Sequence, residues 1–120
     1  MINLYHCSPQ HITNFREDTH FGGYYSALEA GLRKPQKHLY IHKVILNCDK
    51  FYDSKDVGSF WNEVIDVALA ENYPVIRYKN DFEFDYIPSY LVLDPDLIFI
   101  ESVKILHRDK IEQILSDFLD

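Results

Sequence analysis

The apolar and polar positions of this chain fall into short blocks that predict strands and helices mixed without a regular rhythm. Residues 2–7 (INLYHC) predict a first strand. Ser8-Pro9 stops it, because proline cannot donate to a sheet ladder. Residues 8–21 then predict a connector anchored by Ile12 and Phe15. Gly22 and Gly23 permit a tight turn or a close backbone approach, and Tyr24 and Tyr25 suit a short strand. Ser26 predicts the N-cap of a short helix ended by Pro35, with Glu29 at the capping-box position.

Residues 39–48 (LYIHKVILNC) form the clearest strand signal, rich in branched and aromatic side chains. Residues 49–56 are polar and predict a turn. Ser59 predicts the start of a second helix, with Phe60, Val64, Val67 and Ala68 near helical spacing. Trp61, Ile65 and Leu69 widen that apolar face, and Asn72 and Pro74 close the helix. Residues 75–78 predict a strand, and residues 79–88 an acidic, aromatic loop. Residues 89–93 and 97–106 predict strands joined by an Asp94-Pro95-Asp96 turn. Residues 108–119 predict an amphipathic helix with Ile111, Ile114, Leu115 and Phe118 on one side.

Together these elements predict an α+β fold with a mixed, largely antiparallel sheet and a few short helices. With 120 residues and 47% hydrophobic content, residues 1–120 are expected to form one globular domain. The formal net charge of −7 argues against nucleic acid as a partner, because phosphate neutralisation needs clustered Lys and Arg. A local basic patch could form, for instance around Arg33, Lys34 and Lys37. No apolar run approaches the roughly 20 residues of a membrane span, so no membrane partner is expected. The N-terminus has no signal-peptide pattern, and Cys7 and Cys48 lack metal-type spacing, which predicts free thiols in a cytoplasmic protein.

Several chemistries find no support. There is no Gly-rich phosphate loop, no G-x-S-x-G elbow and no H-E-x-x-H. His38 and His42 share a strand face but stand about 13 Å apart by the usual rise, too far for one metal, so no metal is expected. A Cys7 nucleophile beside His6 is set aside, since strand neighbours point to opposite faces. What stands out is His6 itself, at the end of a strand and beside a turn, where scaffolds commonly present a ligand-contacting side chain.

Three blocks in order carry a resemblance. Leu4-Tyr5-His6-Cys7-Ser8-Pro9 precedes Ile12 and Phe15; Phe21-Gly22-Gly23-Tyr24-Tyr25-Ser26 leads into Ala27 and Ala30. The third runs from Val75-Ile76-Arg77-Tyr78-Lys79-Asn80 to Ser89-Tyr90-Leu91-Val92-Leu93-Asp94-Pro95-Asp96. Over residues 4–100 this order resembles the small bacterial and phage members of the ADP-ribosyltransferase fold. The resemblance implies NAD as co-substrate, no metal, and transfer of ADP-ribose to a protein acceptor, as an effector against a host enzyme or defence complex. Breaking the ribose–nicotinamide bond develops an oxocarbenium-like centre, and the cationic nicotinamide leaves readily, so positioning and electrostatics suffice.

By the same resemblance His6 would hydrogen-bond the ribose or the nicotinamide amide, flanked by Cys7 and Ser8. Beside Gly23, either Tyr24 or Tyr25 would stack on the nicotinamide; strand alternation lets one of the two face the pocket, and Tyr25 is favoured. Arg77 is the nearest cation for the pyrophosphate. Where the best-studied branches carry a Glu before the third block's second strand, this chain has Ser89. Asp81 is ranked first and Glu83 second as the catalytic acid, with Asp85 also in that loop. The alternatives are a catalytically impaired binding module and an NAD glycohydrolase of the same fold.

Overall fold

Alternation along the first strand decides how the layers assemble. In β1 (Ile2–Ser8), Leu4 and His6 project to one face and Tyr5 and Cys7 to the other. A computed structural model describes residues 1–79, 85 and 87–119. There β1 pairs antiparallel with β3 (His38–Leu46), placing His6 opposite His42, and β3 pairs antiparallel with β7 (Ile98–His107). This first sheet has the order β1-β3-β7. Its outer strand carries a bulge opposite Lys43 and Val44, and the Lys43–Glu101 ion pair of 3.1 Å lies across that edge.

The second sheet has the order β2-β6-β5-β4, built from β2 (Thr19–Phe21), β4 (Tyr52–Lys55), β5 (Val75–Lys79) and β6 (Ser89–Val92). Among the described strands only β4 and β5 run parallel, and α2 (Asn62–Ala70) is the crossover between them. The α+β class and the largely antiparallel pairing follow the pattern of the sequence, but the strands form two sheets rather than one. Leu4, Phe21, Val44, Leu46, Val75 and Val92 fill the space between the sheets. Full burial of each such side chain is worth about 1.5–3 kcal/mol.

Two further layers cover the outer faces. The helix α2 packs Ala68 with Trp61 onto Ile76, Tyr78 and Leu91 of the second sheet. The helices α1 (Tyr24–Leu32) and α3 (Arg108–Leu119) bring Leu28, Ile111 and Leu115 onto Leu39 and Ile41 of the first.

Local chemistry explains where the elements differ from the sequence reading. Tyr24 and Tyr25 are not a strand but the first turn of α1. Gly23, extended at φ −66° and ψ 169°, takes the N-cap position expected of Ser26, and its carbonyl accepts from the Ala27 N–H at 2.9 Å. The strand lies just before the glycines, at Thr19–Phe21. The polar stretch 49–56 contains β4, a half-exposed edge strand that tolerates polar side chains. Ser59 does not open α2. Trp61 stands at its N-cap, donating its indole N–H to the Gly58 carbonyl at 2.9 Å, while Phe60, Val67 and Leu69 stay exposed. Asp94-Pro95-Asp96 leads into a 3-10 turn (Pro95–Leu97) that carries the chain between sheets instead of closing a hairpin.

Candidate functional site

Besides their shared core, the two sheets are joined among the described residues by a backbone bridge. Tyr5 and Gly22 exchange backbone hydrogen bonds of 2.8 and 3.1 Å, an isolated bridge between β1 and the end of β2. Beside this bridge opens a cleft of about 120 Å³. Its walls include His6 and Cys7 from β1, His20 from β2, Tyr78 from β5 and Ser89 from β6, with Ala27 and Ala30 of α1 against it. Gly22 leaves room for Ser89: a Cβ there would lie 3.2 Å from the serine Oγ.

The protonation state of His6 follows from its partners. Its Nδ1 lies 2.9 Å from the His20 carbonyl oxygen, which can only accept, so Nδ1 carries the proton. Burial lowers its pKa, the hydrogen bond to His20 opposing and the neighbouring His42 adding. The neutral ring therefore keeps Nε2 as an acceptor. Phe15 and Phe21 meet it at centroid distances of 5.3 and 5.5 Å, fixing its plane.

His42 stands behind it, 0% exposed. Its Nε2 accepts from the Ile12 N–H at 2.9 Å, so its Nδ1–H donates to the His6 carbonyl at 3.1 Å. Burial pushes its pKa down as well. This ring ties β1, β3 and the connector together in one tautomer. His20 completes the group: its Nδ1 lies 2.7 Å from the Tyr78 hydroxyl, and Trp61 meets the ring edge-on at 5.5 Å. Burial lowers its pKa, against the opposing pull of Asp56 and Asp18.

Of the residues expected at a site, His6, Cys7 and Ser89 line the cleft. Burial pushes the Cys7 thiol up to about 11, so it is a packing group against Gly31 and not a nucleophile. Ser8 is used in the turn after β1, its Oγ accepting from the Gln10 N–H at 3.1 Å. Gly23 has no space for a side chain, since a Cβ would stand 2.6 Å from Asp85 Oδ2.

The tyrosines are not brought to the cleft. Tyr24 packs edge-on against Tyr5 at 5.1 Å, and Tyr25 is stacked on Phe118 of α3 at 3.9 Å. The expectation that Tyr25 stacks a ligand ring loses the strand on which it was argued. It rested on strand geometry, whereas the helix turns that ring toward α3. Arg77 is also engaged elsewhere, bidentate on Asp53 at 2.6 and 3.0 Å and over the Phe51 ring at 5.0 Å. Asp81 and Glu83 lie outside the described residues. Asp85 binds the first turn of α1, accepting from the Ser26 N–H at 2.9 Å and its hydroxyl at 2.6 Å.

The sequence reading missed His20, His42 and Tyr78 as members of this group. Residues 19–21 carry no period that could have signalled a strand, and His20 and Tyr78 join the group only through strand register. A second, more open hollow of about 640 Å³ adjoins His6 from the connector side, between Gln10, Asn14, Arg16 and Thr19.

No protein-family model, no curated protein and no solved structure matches this chain. No helix is long and apolar enough to cross a membrane, and no metal-holding group of His, Cys, Asp and Glu occurs among the described residues. The polar groups that line the cleft are imidazoles, hydroxyls and backbone groups. They suit hydrogen bonding and proton transfer on an organic ligand.

Proposed function

We propose that this chain is an NAD-consuming ADP-ribosyltransferase-like domain that modifies a protein. The observation that carries the reading is the meeting of His6 and Ser89 in one cleft at the split between the sheets. These are the positions where the family resemblance locates a ribose-binding histidine and a catalytic acid. Neither their sequence separation nor their different sheets required them to meet.

His6 offers Nε2 as a fixed acceptor for a ribose hydroxyl or an amide N–H. Phe21, Ala27 and Ala30 give the cleft an apolar side suited to a flat ring. Bound there, NAD supplies a cationic nicotinamide leaving group, and the chain supplies orientation. The net charge of −7 favours a basic protein as the acceptor, through electrostatic steering.

A second reading, a binding module that does not turn NAD over, is favoured by Ser89, which brings no charge where the resemblance expects a carboxylate. Incubation with labelled NAD and a cell lysate distinguishes them. Transfer of label that disappears in His6→Ala supports the transferase. Free labelled ADP-ribose without labelled protein indicates a glycohydrolase, and NAD binding without turnover indicates the module. Absence of NAD binding by calorimetry rejects the NAD-based readings together.

A further inference from the structure

We infer that His20 is the general base of this cleft, held in place by Tyr78, and that it deprotonates a hydroxyl-bearing acceptor. The inference rests on the NAD-consuming reading above and adds to it a base and an acceptor class.

His20, His6, Tyr78 and Ser89 all line the cleft. The His20 carbonyl receives His6 Nδ1–H at 2.9 Å, and the His20 ring meets the Tyr78 hydroxyl at 2.7 Å. Tyr78 in turn is the cross-strand partner of Ser89. Register fixes the orientation: His20 pairs with Leu91 and Leu91 with Ile76, so His20, Tyr78 and Ser89 share one sheet face. When Nδ1–H donates to the tyrosine oxygen, Nε2 is free to take a proton. Tyr78 is then a positioning residue, in the way a carboxylate orients the histidine of a nucleophile–base pair.

The groups facing His20 are Tyr78 from β5, Trp61 at the start of α2, His6 from β1, and the carboxylates of Asp56 and Asp18. Burial outweighs the carboxylates and lowers its pKa, so the ring is neutral near pH 7. A neutral imidazole can accept the proton of a hydroxyl as that oxygen bonds to carbon, but it is poorly matched to a guanidinium. In the transfer step the acceptor oxygen bonds to the ribose carbon while the bond from that carbon to the nicotinamide nitrogen breaks. The bonding pair leaves on nicotinamide, which becomes neutral, and the hydroxyl proton passes to His20 Nε2.

The test compares wild type, His20→Asn and Tyr78→Phe for NAD binding, single-turnover transfer and pH profile. In His20→Asn the amide nitrogen stands near the place of Nδ1 and keeps the bond to Tyr78 without a base. NAD binding is expected to stay within about twofold, while transfer falls about 100-fold or more. The wild-type rate rises with pH to a midpoint below 6.5, and His20→Asn loses that limb. Tyr78→Phe keeps the ring against Trp61 but shifts the midpoint, a change that a packing role would not produce. Modified peptides carry ADP-ribose on Ser, Thr or Tyr. If His20→Asn transfers at the wild-type rate with its acid limb intact, the base assignment is wrong while the NAD reading stands. Label confined to arginine overturns the acceptor class, and a wild type that binds no NAD overturns both readings.

Discussion

The carboxylate of Asp85 accepts two hydrogen bonds from Ser26, one from its backbone N–H at 2.9 Å and one from its hydroxyl at 2.6 Å. The serine is 1% exposed and sits in the first turn of α1, where backbone N–H groups lack partners within the helix. A distant acid therefore does what a local cap would ordinarily do. Asp85→Ala leaves a buried N–H and hydroxyl unsatisfied and is expected to cost about 1–3 kcal/mol. Gly23→Ala should cost a similar amount, because its Cβ falls 2.6 Å from Asp85 Oδ2 and 3.0 Å from Ile87. Urea denaturation of both single variants and the double variant checks the coupling. The double variant is expected to lose less than the sum, since removing the carboxylate also removes the clash.

Gly31 lies in the last turn of α1, where alanine would ordinarily add something below the roughly 1 kcal/mol it is worth in a helix interior. Here the sign reverses. A Cβ at Gly31 would overlap Cys7 Sγ and stand 2.9 Å from Cys7 Cβ, both on the strand beneath α1. Gly31→Ala is expected to destabilise the protein by about 1–3 kcal/mol. Adding Cys7→Ala should recover part of that loss, because it removes the Sγ overlap but keeps the Cys7 Cβ position 2.9 Å away. Thermal melts of the two singles and the double show whether the thiol is the obstacle.

Acid should weaken the fold as the pH falls below 6.5. His6, His20 and His42 all have pKa values below the ordinary 6.5, burial being the largest cause in each case. Below 6.5 the unfolded chain takes up protons that the folded chain refuses, so the unfolded state binds more protons there. Stability is therefore full above pH 6.5 and falls as pH drops toward the folded-state values, by up to about 1.4 kcal/mol per pH unit per histidine. His42 has the most to lose, because protonating Nε2 breaks its bond to the Ile12 N–H. Urea midpoints between pH 7.5 and 5.0 should fall steadily. His42→Asn is expected to start less stable at pH 7.5 and to show a shallower acid slope.

The sequence made the long elements plain because each carries a sustained signal. The run of branched and aromatic residues at 39–48 reappears as β3 (His38–Leu46), and the helical repeat of Ile111, Ile114 and Leu115 as α3. The short, polar elements were hidden. The β4 strand reads as a turn because an edge strand needs no apolar run, and Thr19–Phe21 is too short to show a period. The site divides in the same way. His6 was legible from strand-end position, whereas His20 and Tyr78 join it only through the register of β2, β6 and β5. Tyr25 misled because two tyrosines after two glycines fit a strand as well as a helix start. The stacking partner that decides the matter, Phe118, lies at the other end of the chain.

The start of α3 is held to the end of α1 by one side chain, and the chemistry of that side chain can be tested directly. The Arg108 guanidinium donates to the carbonyls of Lys34, Gln36 and Leu32 at 2.8, 2.9 and 3.0 Å, and the Arg108 N–H donates to Lys37 at 2.7 Å. These carbonyls end α1 and the turn after it, so the arginine supplies partners that the helix cannot supply itself. If charge near a helix C-terminus were the main contribution, Arg108→Lys would keep most of the stability. The geometry instead favours the planar fork, because an ammonium cannot match the spread of three carbonyls without moving them. Arg108→Lys is therefore expected to lose about 1–2 kcal/mol, nearly as much as Arg108→Ala. Urea denaturation gives the difference, and hydrogen exchange locates it: faster exchange confined to residues 30–37 and the first turn of α3 would confirm that the fork, and not the charge, joins the two helices.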